Sequence, residues 1–147
     1  MIIDIKERND DIKSELVRVW EGSVRATHHF LTEDEIMRIK EYVPMAIDGT
    51  EHLLAEEQDG RICAFMGISG DELEMLFVSP DERGKGLGKV LLQKGIDEYG
   101  VRTLTVNEQN PQATGFYEHK GFVTVRRSDT DGQGGTYPIL YMELRRK

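Results

Sequence analysis

The chain has 147 residues, with 27 Asp and Glu against 19 Lys and Arg, a formal net charge of −8. That length suits one domain with a single core, residues 1–147, and one cysteine, Cys63, excludes an intramolecular disulfide framework. An acidic balance, pI near 5.0, opposes nonspecific nucleic-acid binding and favours cationic partners such as amines, and no apolar run approaches a membrane span.

In chain order, Ile2 to Ile5 reads as a short edge strand, and Met1-Ile2-Ile3-Asp4 lacks the basic start of a signal peptide. With the single thiol, this points to a reducing cytoplasm. Asp10 or Asp11 is expected to cap a helix carrying Ile12, Leu16, Val19 and Trp20 on one face. Thr32-x-x-Glu35 is a capping box that opens a second helix, with Ile36, Ile39 and Val43, ending at Pro44. The connection Ser23-Val24-Arg25-Ala26-Thr27-His28-His29-Phe30 is unusually rich in functional side chains.

His52–Glu56 and Ile62–Ile68 flank Asp59-Gly60, a hairpin signal, and Ser69-Gly70-Asp71 turns the chain into a third strand, Leu73–Val78. A helix from Leu87 to about Tyr99 buries Leu87, Leu91, Leu92 and Ile96. Thr103–Val106 is the next strand, and Pro111 starts a helix that ends near Gly121. Phe122–Arg127 and Ile139–Leu144 close the chain, with the glycine-rich loop Ser128–Thr136 between them. The order is β-αα-βββ-α-β-α-ββ. Cys63, inside a strand, reads as core.

The turn between the strand ending at Val78 and the helix starting at Leu87 carries the chemistry: Arg83-Gly84-Lys85-Gly86-Leu87-Gly88-Lys89. A glycine turn entering a helix leaves backbone N–H groups free, and the helix dipole favours an anion there. The P-loop pattern fails, because Arg83 stands at its first glycine and Val90 at its hydroxyl position. The dinucleotide pattern fails too, with Lys89 or Leu91 at the last glycine. What fits is R-x-x-G-x-G, at Arg83, Gly86 and Gly88.

That loop resembles the acyl-coenzyme A pyrophosphate loop of the GNAT N-acetyltransferase superfamily. Asn107-Glu108-Gln109-Asn110-Pro111-Gln112-Ala113-Thr114-Gly115-Phe116-Tyr117-Glu118-His119-Lys120-Gly121-Phe122 resembles the superfamily's second hallmark, N-x-x-A-x-x-F-Y-x-x-x-G-F. The chain is most similar to small bacterial members, whose motifs include an Arg-Ala-Thr-His-type segment and a Tyr-Pro before the last strand, here Tyr137-Pro138. The resemblance implies an α/β (α+β) fold: a mixed, mostly antiparallel sheet with helices on both faces, splayed at the cofactor cleft. It also implies an acetyl-CoA-dependent acyltransferase that moves the acetyl group to a primary amine by direct attack in a ternary complex.

On that resemblance, the backbone of Leu76, Phe77 and Val78 pairs with the pantetheine arm and thioester. Gly84, Lys85, Gly86, Leu87, Gly88 and Lys89, with Arg83, hold the pyrophosphate. Asn110 orients the pantetheine or the tyrosine, and Ala113 leaves room for the cofactor. Tyr117 matches the family's tyrosine, the general acid to the leaving thiolate; a core tyrosine anchored by its hydroxyl is the alternative. Solvated surface charge is an equal reading of Lys85 and Lys89.

For the base, strand alternation puts Glu72 and Glu74 on the face of Leu76 and Val78, and Glu74 is nearer the thioester. His28 or a water is the alternative. His28, Phe30 and Tyr137 border the acceptor groove in the resembling enzymes; their convergence would admit a small polar amine, and an open groove a peptide. No metal site is expected. A different class, a coenzyme A-binding regulatory or interaction protein with little catalysis, keeps the same cleft. The chain is expected to work as a monomer or homodimer.

Overall fold

The computed structural model describes residues 1–130 and 137–145; most of the loop Ser128–Thr136 lies outside them. The chain divides into two compact units, Met1–Val101 and Arg102–Lys147.

In the first unit, β1 (Ile2–Asp4), β2 (His52–Gln58), β3 (Arg61–Ser69) and β4 (Glu72–Val78) pair antiparallel in that order. Asp59 and Gly60 both take positive φ, 54° and 77°, as the tight hairpin between β2 and β3 demands. The helices are α1 (Asp10–Thr27), α2 (Glu33–Lys40), α3 (Val43–Asp48) and α4 (Leu87–Tyr99). Successive residues of β2 and β3 point to opposite faces, and both faces are buried. Leu53, Ala55 and Phe65 join Leu16, Val19, Trp20 and Val24 of α1 in one core. On the other face, a Cβ added at Gly95 of α4 would lie 3.3 Å from Met66 Sδ and 3.4 Å from Ile68 Cδ1. Any larger residue there would push these side chains back by a few tenths of an ångström. Helices therefore cover both faces of this four-stranded sheet.

In the second unit, β5 (Thr103–Asn107) pairs antiparallel with β7 (Ile139–Leu144), and β7 with β6 (Phe122–Ser128). Helix α5 (Pro111–His119) precedes β6, and the Tyr117 ring meets the buried Phe122 ring edge-on, with centroids 6.0 Å apart.

Three local expectations change. Asn9, not Asp10 or Asp11, caps α1: its side chain accepts from Ile12 N–H at 2.9 Å, and both aspartates sit in the first turn beside the positive helix end. The segment Ser23–Thr27 is the end of α1 rather than a connection, because Ser23 and Val24 continue its buried stripe. The second helix ends at Lys40 rather than at Pro44, and Val43 and Pro44 belong to the separate α3, where Pro44 lies within the first turn and its missing N–H has no helical partner to lose.

Candidate active site

The turn at 83–89 lies where the sequence puts it. Pro80–Glu82 form one turn of 3-10 helix, then Gly84 and Gly86 take φ of +83° and +78°. Among the described residues nothing lies within 4 Å of a Cβ built on either glycine, so the backbone there is open to an approaching group. Gly86 is the N-cap of α4 and offers no side-chain hydrogen bond. The helices α1, α2 and α5 each have one, from Asn9, Thr32 and Asn110. The first-turn N–H groups of α4 therefore keep their capacity for an anion. Leu91 and Leu92 are fully buried and fix the helix axis, worth about 2 kcal/mol each.

The charges beside this turn are unequal. Lys85 donates to Glu82 Oε2 at 2.6 Å, which raises its pKa and occupies its charge. Arg83 and Lys89 form no ion pair among the described residues. These two suit an added phosphate better than Lys85 does.

Leu76, Phe77 and Val78 end β4 just before the turn. The register of β3 with β4 runs from Ala64↔Val78 to Gly67↔Met75, then shifts to Ile68↔Leu73 and Ser69↔Glu72. Glu74 is the extra residue of this bulge. Cross-strand partners share a face, so Leu73 and Leu76 lie with Ile68 and Met66 on the α4 face. Glu72 goes to the opposite face, that of Met75 and Phe77, which pack against the α1 core. The expectation that Glu72 and Glu74 share the face of Leu76 and Val78 thus fails, since one inserted residue breaks the period of two. Glu74 is exposed, and its Oε2 accepts from Ser69 Oγ at 2.7 Å. Glu72 is half-buried; burial, then the charges of Glu74 and Asp71, raise its carboxyl pKa.

At the end of α1, the His28 ring lies 5.4 Å from the Phe30 ring between centroids. Burial, then the neighbouring His29, lowers the His28 pKa, so the imidazole is neutral at physiological pH. The Cys63 thiol is buried and its pKa is raised mainly by that burial, as befits a core residue.

In the second unit, Asn110 is buried and caps α5, its Oδ1 accepting from Ala113 N–H at 3.2 Å. Its side chain is thus spent on the helix start. Three residues earlier, Asn107 Oδ1 is buried without a hydrogen-bond partner among the described residues. A buried amide oxygen left unpaired is costly and marks a place for a ligand donor. Asn107 stands at the head of the second sequence motif but has no role assigned to it there; its position at the end of a strand, just before a capped helix, was the available signal. Tyr117 is half-buried, and burial pushes its phenol well above the ordinary value, so it holds its proton through neutral and mildly alkaline pH. Tyr137 lies just before β7 and is half-buried.

The open glycine turn and the uncapped end of α4 fit a ligand that carries a pyrophosphate. The comparisons agree. Residues 11–144 match the acetyltransferase (GNAT) domain family. The chain belongs to this family. The peptidyl-lysine N-acetyltransferase YjaB of Escherichia coli (strain K12) is 36% identical over 140 residues, 95% of each chain. YjaB of Salmonella typhimurium is 34% identical, over 95% of this chain and 97% of its own. The solution structure of apo YjaB from Escherichia coli superposes with a TM-score of 0.86 at 33% identity, covering 97% of this chain and 95% of that one. The fold is the mixed, mostly antiparallel α/β fold of this family, and the chain is an acetyl-CoA-dependent N-acetyltransferase that transfers to an amine.

Proposed function

We propose that the acceptor is the ε-amine of a lysine within a polypeptide. The observation that carries this is the similarity to YjaB, a peptidyl-lysine N-acetyltransferase, over 95% of both chains. It replaces a small polar amine as the preferred acceptor. The excess of acidic residues supports a cationic acceptor.

Acetyl-CoA supplies an activated acyl group with a thiolate leaving group. The N–H groups from Gly84 to Lys89 hold its pyrophosphate, with Arg83 and Lys89 adding charge. The β4 backbone at Leu76, Phe77 and Val78 holds the arm and thioester, where an N–H aimed at the carbonyl oxygen stabilises developing charge. Asn107 Oδ1 accepts an N–H of the arm, Asn110 fixes the start of α5, and Ala113 leaves space. Tyr117 Oη, protonated because its pKa is raised, gives its proton to the departing sulfur. Glu72 takes the proton of the incoming ammonium, directly or through water. Its raised pKa brings it nearer the neutral range in which a base works best, whereas Glu74 is engaged by Ser69. His28, Phe30 and Tyr137 border the acceptor. All of this takes place in one catalytic domain, residues 1–147. The buried lone thiol and the bacterial sources of the YjaB relatives support a reducing bacterial cytoplasm as the working compartment.

The test is acetyl transfer to lysine-containing peptides against a panel of free amines, read by thiol release and peptide mass. Peptide products carrying acetyl on the lysine side chain are expected. Transfer confined to small amines overturns the lysine assignment, and thiol release with no acceptor product would favour a coenzyme A-binding regulator.

A further inference from the structure

The last turn of α1 contains a hydrogen-bond chain that the preceding mechanism does not use. Thr27 Oγ1 lies 2.8 Å from the carbonyl oxygen of Ser23 and 2.8 Å from His28 Nδ1. A threonine hydroxyl has one proton and two lone pairs. Donating to Ser23 O uses the proton, so toward the imidazole the hydroxyl oxygen can only accept. Both short contacts are hydrogen bonds only when Nδ1 carries the ring proton. If Nδ1 were unprotonated, one of the two contacts would place lone pair against lone pair.

The same chain leaves Nε2 of the neutral ring with its lone pair, and among the described residues no hydrogen bond to Nε2 is formed. Position supports a use for it. His28 is the C-cap of α1, and its N–H still donates to the carbonyl oxygen of Val24, the last buried residue of the α1 stripe. Met75 and Phe77 of β4 pack against the cluster formed by that stripe, and the β4 register puts Glu72 on the same face. Beside the imidazole lies the Phe30 ring. An apolar ring next to a neutral nitrogen acceptor matches a methylene chain that ends in N–H donors.

We infer that Thr27 is a positioning residue: it locks His28 in the Nδ1–H tautomer, and His28 Nε2 then accepts a hydrogen bond from the acceptor amine, with Phe30 against its methylenes. Nothing is transferred in this contact; it aims the amine. The inference rests on the amine acceptor, and on the lysine reading only for the choice of probe.

The experiment has two arms. Two-bond proton–nitrogen NMR correlations on the free wild-type protein, with His28→Gln used for assignment, report which ring nitrogen is protonated. Nδ1–H is expected, and an Nε2–H ring overturns the proposal. Steady-state kinetics with a lysine peptide then compare Thr27→Val and Thr27→Ser. The valine variant should mix the tautomers and raise KM for the peptide about 5-fold, the worth of one neutral hydrogen bond, with KM for acetyl-CoA unmoved. Serine should restore both the tautomer and KM. A serine variant as impaired as the valine one, or a valine variant with shifted tautomer and unchanged KM, overturns it. If the wild type transfers only to free amines, the lysine reading fails, and the same comparison is run on the best amine.

Discussion

Helices α2 and α4 begin in opposite ways. At α2, Thr32 Oγ1 accepts from Glu35 N–H at 3.2 Å and Glu35 Oε1 accepts from Thr32 N–H at 2.9 Å, so the end is closed by its own side chains. At α4, glycines occupy the turn, no side chain caps the end, and the space over Gly84 and Gly86 is empty. A closed end spends its polar groups on stability. An open end leaves them for a ligand, and α4 compensates by burying Leu91 and Leu92 completely. The comparison separates residues that build the fold from residues that build the site, and substitutions can test it.

The largest effect should come from closing the open end. Gly86→Asp strains a backbone held at φ +78° and sets a negative charge where the pyrophosphate must sit. Juxtaposed like charges cost several kcal/mol, so Kd for coenzyme A should rise by about 10²-fold or more. Calorimetry giving a wild-type Kd would remove the turn from the binding site.

Next comes Tyr117→Phe. Helix α5 is a closed-end helix, so its contribution should lie in a side chain and appear in kcat rather than in cofactor affinity. Loss of a general acid should lower kcat by about 10²-fold, with Kd for coenzyme A nearly unchanged. A variant with normal kcat would mean that water protonates the thiolate.

Smaller again is Glu72→Gln, expected to lower the rate about 10-fold at neutral pH, below the usual ~10²–10⁴ of a positioned base because water takes over part of the proton removal. The sign of the pH dependence follows from the raised carboxyl pKa. The base form is lost as pH falls through that raised value, so the wild-type rate should drop on acidification earlier than for an ordinary carboxylate. The glutamine variant should lack this limb and recover partly at high pH, where more of the amine is already neutral. If Glu74→Gln shows this pattern instead, the base is the bulge residue.

How far the sequence could be read differs between these regions for physical reasons. The capping box, the Asp59-Gly60 turn and the α4 stripe of Leu87, Leu91, Leu92 and Ile96 are local patterns, and each forms as expected. The glycine turn was legible because its spacing excludes other phosphate loops. The bulge at Glu74 was not, because a register shift depends on the partner strand and leaves no mark in β4 itself. The same holds for Asn107, whose significance is the absence of a partner in three dimensions. The Thr27–His28 chain was hidden by reading Ser23–Phe30 as a connection, since only a helix brings Thr27 Oγ1 back to Ser23 O, four residues earlier.

The smallest effect is also the cleanest contrast. Thr32→Ala opens the end of α2 by deleting the acceptor for Glu35 N–H, without adding charge or bulk. Losing a threonine cap costs about 1 kcal/mol, within a range of roughly 0.5–2. The urea midpoint should therefore fall while the slope m stays constant, since the surface exposed on unfolding does not change. Kd for coenzyme A should not move, because an uncapped helix becomes an anion site only when glycines also clear the approach, and α2 is preceded by Phe30 and Leu31. A drop in stability without any kinetic change would confirm that α2 is closed for the fold alone. A weakened affinity for coenzyme A would show instead that the two helix ends are coupled, and the distinction between a stability end and a ligand end would fail.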